Sequence, residues 1–186
     1  MSDYVLSCCS TADVTRELLE ERGIAYVYFN YQLDGQMLKD DFGQTNSPAQ
    51  LYSKMLAGAD AKTSQVSVGE YVTHFEKFLT QGKDVLHVTL SSGISGTYGS
   101  ACAARDQLAE KYPDRKVVIV DSLCASAGYG LLMDRLADLH DTGMGIDELA
   151  AWAEKHRLEV QHWFFSSDLT FFIRGGRISK AAGLVG

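Results

Sequence analysis

The sequence predicts an α/β layered fold built on a parallel sheet, and two observations carry that reading. Short apolar runs dominated by Val, Leu and Ile, such as 84–90 (DVLHVTL) and 116–120 (KVVIV), alternate with longer segments of helical spacing. Runs of this kind read as strands buried on both faces, and strand–helix alternation along a chain implies an α/β layered architecture. Polar clusters also recur where the apolar runs end, at 7–11, 91–97 and Asp121-Ser122. In open α/β sheets that carboxyl edge is where ligands bind.

Taken in order, residues 4–8 read as a first strand. Ser10 to Asp13 then opens a helix that runs through 16–20 and stops at Gly23, a suitable C′ residue. Residues 24–29 read as the second strand, so the first thirty residues begin a parallel sheet with right-handed connections. Asp34-Gly35 is the strongest hairpin dipeptide in the chain and predicts a small antiparallel excursion. Ser47-Pro48 marks an N-cap with proline at the first helical position, for a helix over 49–56 ending near Gly58. Residues 61–66 (AKTSQV) read as a polar connector.

Ser67 and Glu70 match the capping-box pattern of a further helix, with Tyr71, Phe75, Phe78 and Leu79 at helical spacing and Gly82 at its close. The strand at 84–90 follows, then a helix over 99–111, the strand at 116–120 and a long helix over 125–141. An amphipathic helix over 146–156 puts Leu149 and Trp152 on its buried side. Residues 160–165 (VQHWFF) read as a strand, 167–170 start a short helix that ends at Gly175-Gly176, and 177–182 begin another helical segment.

The bulk properties narrow the function. With 186 residues and 46% hydrophobic content, the chain can bury a substantial core. A net charge of −7 argues against a nucleic-acid partner and gives no support to an anionic membrane surface. No apolar stretch reaches the length of a membrane span, and the N-terminus lacks the basic region of a signal peptide. Cys8, Cys9, Cys102 and Cys124 fit neither a zinc site nor a disulfide framework, so they read as reduced thiols of a cytoplasmic protein.

The stretch Ser91-Ser92-Gly93-Ile94-Ser95-Gly96-Thr97-Tyr98 lies between a buried strand and a helix and carries five hydroxyl side chains in eight residues. Glycines there let the backbone approach a ligand, and a helix start leaves N–H groups to meet an anionic head group. N-capping accounts for one of these hydroxyls, not for five.

Four segments, in this order, carry a family resemblance: Ser10-Thr11-Ala12-Asp13; Lys62-Thr63-Ser64-Gln65-Val66-Ser67; Leu90-Ser91-Ser92-Gly93-Ile94-Ser95-Gly96-Thr97-Tyr98; and Gly175-Gly176-Arg177-Ile178-Ser179-Lys180-Ala181. Val120-Asp121-Ser122 lies between the last two. Together they resemble the DegV family of bacterial fatty-acid-binding proteins, over essentially the whole chain. The resemblance implies a two-lobed α/β protein that holds one long-chain fatty acid between its lobes. It presents the carboxylate to a partner fatty acid kinase, without being an enzyme itself. It implies a Rossmann-like N-terminal lobe over 1–158 and the start of a second lobe over 159–186, most of which lies beyond Gly186. It places the acyl carboxylate on Thr63 and Ser95, with Ser64, Gly96, Thr97 and Ser122 around it, and puts Arg177 toward the kinase or the phosphate. It implies no metal and no cofactor other than the bound lipid. Where DegV chains usually carry Asp ahead of the Ser-Thr-Ala-Asp segment, this sequence has Cys9.

The chemistry of such a site is consistent with these residues. Each buried methylene contributes about 0.8 kcal/mol, so the alkyl chain supplies most of the affinity. Neutral hydroxyls can then orient the carboxyl group while leaving it reactive, which a bidentate arginine clamp would not. A serine hydrolase using Ser95 is the competing enzyme reading. It needs a base within reach of that hydroxyl, and His74, His87, His140, His156 and His162 sit at no position that suggests one. A phosphoryl-transfer or nucleotide site on the 91–97 loop would lack both G-x-G-x-x-G and a P-loop lysine. A structural piece with no ligand of its own is the remaining class.

Overall fold

The computed structural model describes residues 4–179. Among the described residues seven strands are present: β1 (Tyr4–Cys9), β2 (Ala25–Val27), β3 (Asn30–Leu33), β4 (Gln36–Lys39), β5 (Ala61–Ser64), β6 (Asp84–Thr89) and β7 (Val117–Asp121). The helices are α1 (Arg16–Glu21), α2 (Pro48–Leu56), α3 (Val68–Leu79), α4 (Thr97–Lys111), α5 (Ser126–Asp141), α6 (Ile146–His156) and α7 (Thr170–Arg174).

Strands β2-β1-β6-β7 form one parallel sheet, with Val5 opposite Val85 and Val88 opposite Val120 at its centre. Helix α3 packs on α4 and α5 on α6, and each pair touches the sheet. Leu6, Val85, Leu86, Val88 and Val120 are consequently sealed from solvent, which is why β6 reads as an unbroken apolar run. All three of the polar strand ends singled out in the sequence lie on the carboxyl edge of this sheet.

The local signals place several elements well. Asp34 and Gly35 both take positive φ, 49° and 83°, and join β3 to β4 as a two-residue hairpin. Ser47 and Ser67 each cap a helix with a reciprocal capping box, closed by Gln50 and Glu70.

Three expectations are corrected. The first helix begins at Arg16, capped by the Thr15 hydroxyl, which accepts from the Leu18 N–H at 3.2 Å. Ser10–Ala12 is a single 3-10 turn, because Asp13 adopts a left-handed φ of 51° that no helix can continue through. Ser10 instead bridges the two sheets: its hydroxyl accepts from the Phe29 N–H at 3.0 Å and donates to Asp40 at 2.7 Å. Burial raises the Asp40 carboxyl above its usual range despite that bond.

Residues 61–64 are not a connector but strand β5, antiparallel to β3 and completing a second, three-stranded sheet in the order β4-β3-β5. Lys62, Thr63 and Ser64 are all exposed, so the strand has no apolar alternation to reveal it; pairing with β3 decides its state. Residues 160–165 form no strand. The parallel sheet ends at β7, and Trp163, Phe164 and Phe165 stand 92%, 82% and 100% exposed. The helical start expected from 177 onward falls largely outside the described residues.

Candidate functional site

Strand β6 delivers the chain to a loop, 91–96, that turns into α4 on the carboxyl edge of the parallel sheet. The loop is largely self-bonded. Ser91 accepts through its carbonyl from the N–H groups of Ile94 and Ser95, both at 3.2 Å, and through its hydroxyl from Gly93 at 3.2 Å. Asp121 at the end of β7 accepts from the N–H groups of Ser92 and Leu123, at 3.0 and 3.1 Å. The N–H groups of Gly93, Ile94 and Ser95 are therefore engaged inside the loop, and the anion cradle expected of them is not formed. The loop exposes the Ser92 and Ile94 side chains and leaves Ser95 half-buried.

A cavity of about 410 Å³ opens beside this loop, lined by Ser95, Gly96, Ile94, Thr63, Gln65 and Arg177, with Gly93 of the same loop and Phe29 from the β2–β3 connection completing the wall. Thr63 comes from β5 and Arg177 from the turn after α7, so three distant segments converge here. The Arg177 Nη2 donates to Thr63 Oγ1 at 2.9 Å, and its Nη1 to the Gly175 carbonyl at 2.7 Å. Ser95 Oγ accepts from the Thr97 N–H at 3.2 Å. Both hydroxyl oxygens are thus accepting, and each keeps its proton to donate to a group in the cavity. Beyond Thr63 a second groove of about 490 Å³ is walled by Tyr31, Leu51, Tyr52, Met55 and Phe171 and shares Arg177 with the first.

Of the seven residues singled out from sequence, Thr63, Ser95, Gly96 and Arg177 line one cavity. Ser64 does not: it alternates with Thr63 along β5 and is exposed, its hydroxyl bonding only the Gln65 carbonyl at 3.4 Å. Thr97 is fully buried and bonded to Tyr71 Oη at 2.7 Å. Ser122 is also fully buried, its hydroxyl accepting from the Cys124 N–H at 3.0 Å. The last two hold helix and loop in place and are absent from the cavity wall. Arg177 also bonds Thr63 directly, so the cavity is lined by a cation as well as by neutral hydroxyls.

Sequence reasoning passed over Gln65, the third residue of the Thr-Ser-Gln motif. It lines the cavity and donates to Ser100 Oγ at 2.8 Å, tying β5 to α4. Gly96 leaves room for it: a Cβ there would lie 2.2 Å from Gln65 Oε1, the tip of a flexible side chain. Gly96→Ala is expected to displace Gln65 and break its bond to Ser100. Loss of the Ser100 perturbation in a Gln65→Ala background would verify this by NMR; an unchanged Gln65 side-chain amide resonance would refute it.

The histidines turn elsewhere. His74 and His87 converge on Ser7 inside the core, and His162 Nε2 lies 3.4 Å from the Ala125 N–H. Ser7, the serine that meets histidine, is fully buried. No group of His, Cys, Asp and Glu among the described residues is placed to hold a metal, and no helix among them is long and apolar enough to cross a membrane.

A parallel α/β sheet thus carries a hydroxyl-, glycine- and arginine-lined cavity at its carboxyl edge, the architecture of an α/β domain with an open pocket. The comparisons place it more closely. The DegV family model matches residues 9–186, and the chain belongs to the DegV family. It is 34% identical over 186 residues to a DegV domain-containing protein of Clostridium perfringens, covering 100% of this chain and 64% of that relative. The structure is similar to one described as fatty acid binding of a DegV family protein from Thermus thermophilus. The TM-score there is 0.83 at 30% identity, over 98% of this chain and 63% of that one. It is likewise similar to DegV, a fatty acid binding protein from Bacillus subtilis, with a TM-score of 0.84, 26% identity and coverage of 100% and 64%. The chain therefore spans about 64% of the length of the curated relative it matches.

Proposed function

We propose that this chain supplies the head-group half of a fatty-acid carrier. The Thr63 and Ser95 hydroxyls donate to the carboxyl oxygens of a long-chain fatty acid, and a partner fatty acid kinase phosphorylates the lipid while it is held. The observation that carries the reading is the pairing at the cavity: two hydroxyls whose oxygens are engaged by Arg177 and by the Thr97 N–H, each with its proton free for an acceptor. A carboxylate is the acceptor-only group such a pair suits. The groove walled by Leu51, Tyr52, Met55 and Phe171 supplies apolar surface next to it. Family membership and the fatty-acid-binding relatives support the ligand class. The kinase partner rests on the motif resemblance, as does a role for Arg177 facing the phosphate, and a cytoplasmic location rests on the four unpaired cysteines. On this reading the protein is a binding component and not the catalyst.

We assign the chain from residue 159 onward to the start of a second lobe. The exposed Trp163, Phe164 and Phe165 mark where it joins the first.

Native mass spectrometry of the purified chain, with extraction of bound lipid and titration with oleate, tests the ligand. Each hydroxyl–carboxylate bond is worth about 1.5–3 kcal/mol, so Thr63→Val combined with Ser95→Ala should weaken oleate binding at least tenfold. A chain that neither retains nor takes up any fatty acid overturns the proposal, as does a double variant that binds like wild type. Acyl phosphate formed with a fatty acid kinase and ATP should fall in Arg177→Ala; unchanged output would remove Arg177 from the kinase-facing role.

A further inference from the structure

Six polar side chains form one hydrogen-bonded series through the centre of the core. His74 Nε2 lies 2.7 Å from Ser7 Oγ, which lies 2.9 Å from His87 Nδ1. His87 Nε2 is 3.6 Å from Cys9 Sγ, which is 3.2 Å from Tyr71 Oη. Tyr71 Oη in turn lies 2.7 Å from Thr97 Oγ1. Five of the six residues are 0% exposed and His74 is 5% exposed. Hydrocarbon would fill these positions without the cost of burying polar groups, so a fully connected series here specifies geometry.

The series ends at one place that matters. Thr97 is the first residue of α4, and its N–H is the group that donates to Ser95 Oγ. The Tyr71 ring is held by stacking on Phe75, with centroids 5.4 Å apart, and edge-on by His87. Its hydroxyl therefore projects from a fixed point in α3, and Cys9 on β1 bonds that same hydroxyl.

We propose that Tyr71 is a positioning residue for the head-group site: by bonding the Thr97 hydroxyl it fixes the first turn of α4, and with it the placement and donor direction of Ser95. The proposal rests on the reading above only for what Ser95 meets in the cavity; the link from Tyr71 to Ser95 stands on geometry alone.

Tyr71→Phe keeps the ring and its volume and removes the bond to Thr97. In the free protein the amide resonances of Ser95 and Thr97 should shift, and hydrogen exchange at the Thr97 N–H should quicken at least tenfold under conditions that hold global stability. Thr97→Ser should keep the wild-type pattern and Thr97→Val should reproduce that of Tyr71→Phe. This second pair also decides the matter should Tyr71→Phe not fold. With oleate as the probe, Tyr71→Phe should weaken binding fivefold or more in wild type and less than twofold in a Ser95→Ala background. Unchanged Ser95 and Thr97 amides, or equal losses of affinity in the two backgrounds, would overturn the proposal. A wild-type chain that binds no oleate would sink the ligand reading alone, and the amide measurements would still decide the role of Tyr71.

Discussion

Gly130→Ala is expected to destabilise the chain by about 2 kcal/mol, read as a lower urea midpoint with an unchanged slope. Gly130 lies within α5, where alanine would ordinarily gain about 1 kcal/mol over glycine. Here an added Cβ would sit 2.5 Å from the Ala12 carbonyl oxygen and 2.6 Å from Val14 Cγ1. The first of these is backbone, in a turn held by the left-handed Asp13, so it cannot rotate away as a side-chain tip would. Relief requires α5 and the 10–13 turn to separate. That turn carries Ser10, whose hydroxyl holds the Phe29 N–H, and Phe29 is part of the cavity wall. Gly99→Ala in α4 is the control, since nothing lies within 4 Å of its Cβ position, and it should be neutral or slightly stabilising. A Gly130→Ala chain as stable as wild type would show that α5 does not pack on the turn this closely.

Acidification from pH 7 to pH 5 should cost about 2 kcal/mol through His74 alone. Burial holds the His74 imidazole down at about 4, with the Lys77 ammonium acting in the same direction, and burial holds His87 well below its usual value. Both histidines are thus neutral in the folded chain. In the unfolded chain each takes up a proton near its ordinary value of 6.5, so the unfolded state binds more protons as pH falls through the window from 6.5 to 4. Stability is fully present above that window and declines within it. The carboxylates held low by partners, such as Glu70 and Asp41, add their losses only in more acid solution. Asp40, raised by burial, opposes the trend. Urea unfolding at pH 7 and pH 5 measures this directly, and His74→Gln should reduce the difference by about 2 kcal/mol, leaving the part due to His87. A midpoint that did not move between the two would mean the pair is solvated or already charged.

Much of the framework was legible because its signals are local. Ser47-Pro48, the Ser67–Glu70 box and Asp34-Gly35 each satisfy or bend their own backbone within four residues, so their identity is enough to place them. The buried strands β6 and β7 declare themselves by composition. Strand β5 does not: its residues are polar and exposed, and it exists because β3 offers it a ladder. The run at 160–165 errs in the opposite sense. It has strand-like residues, but the sheet ends at β7 and gives them no pairing partner.

The site divides along the same line. That polar clusters gather at the carboxyl ends of the strands, and that the 91–97 loop, Thr63 and the Gly-Gly-Arg turn belong to one family pattern, was readable from residue types and their order. Which hydroxyls face the cavity was not, because a sequence names donors and acceptors without their directions. Ser95 and Thr97 are two residues apart in one motif, yet one lines the cavity and the other bonds Tyr71 in the core. Gln65 gains its role only when β5 is brought against α4, and Cys9, His74 and His87 meet only when β1, α3 and β6 are packed together. Composition and periodicity by themselves determined the layers and the polar carboxyl edge of the sheet. The convergence of Thr63, Ser95 and Arg177, and the polar series behind them, was decided by tertiary packing, since the bonds involved join residues 26 to 114 positions apart.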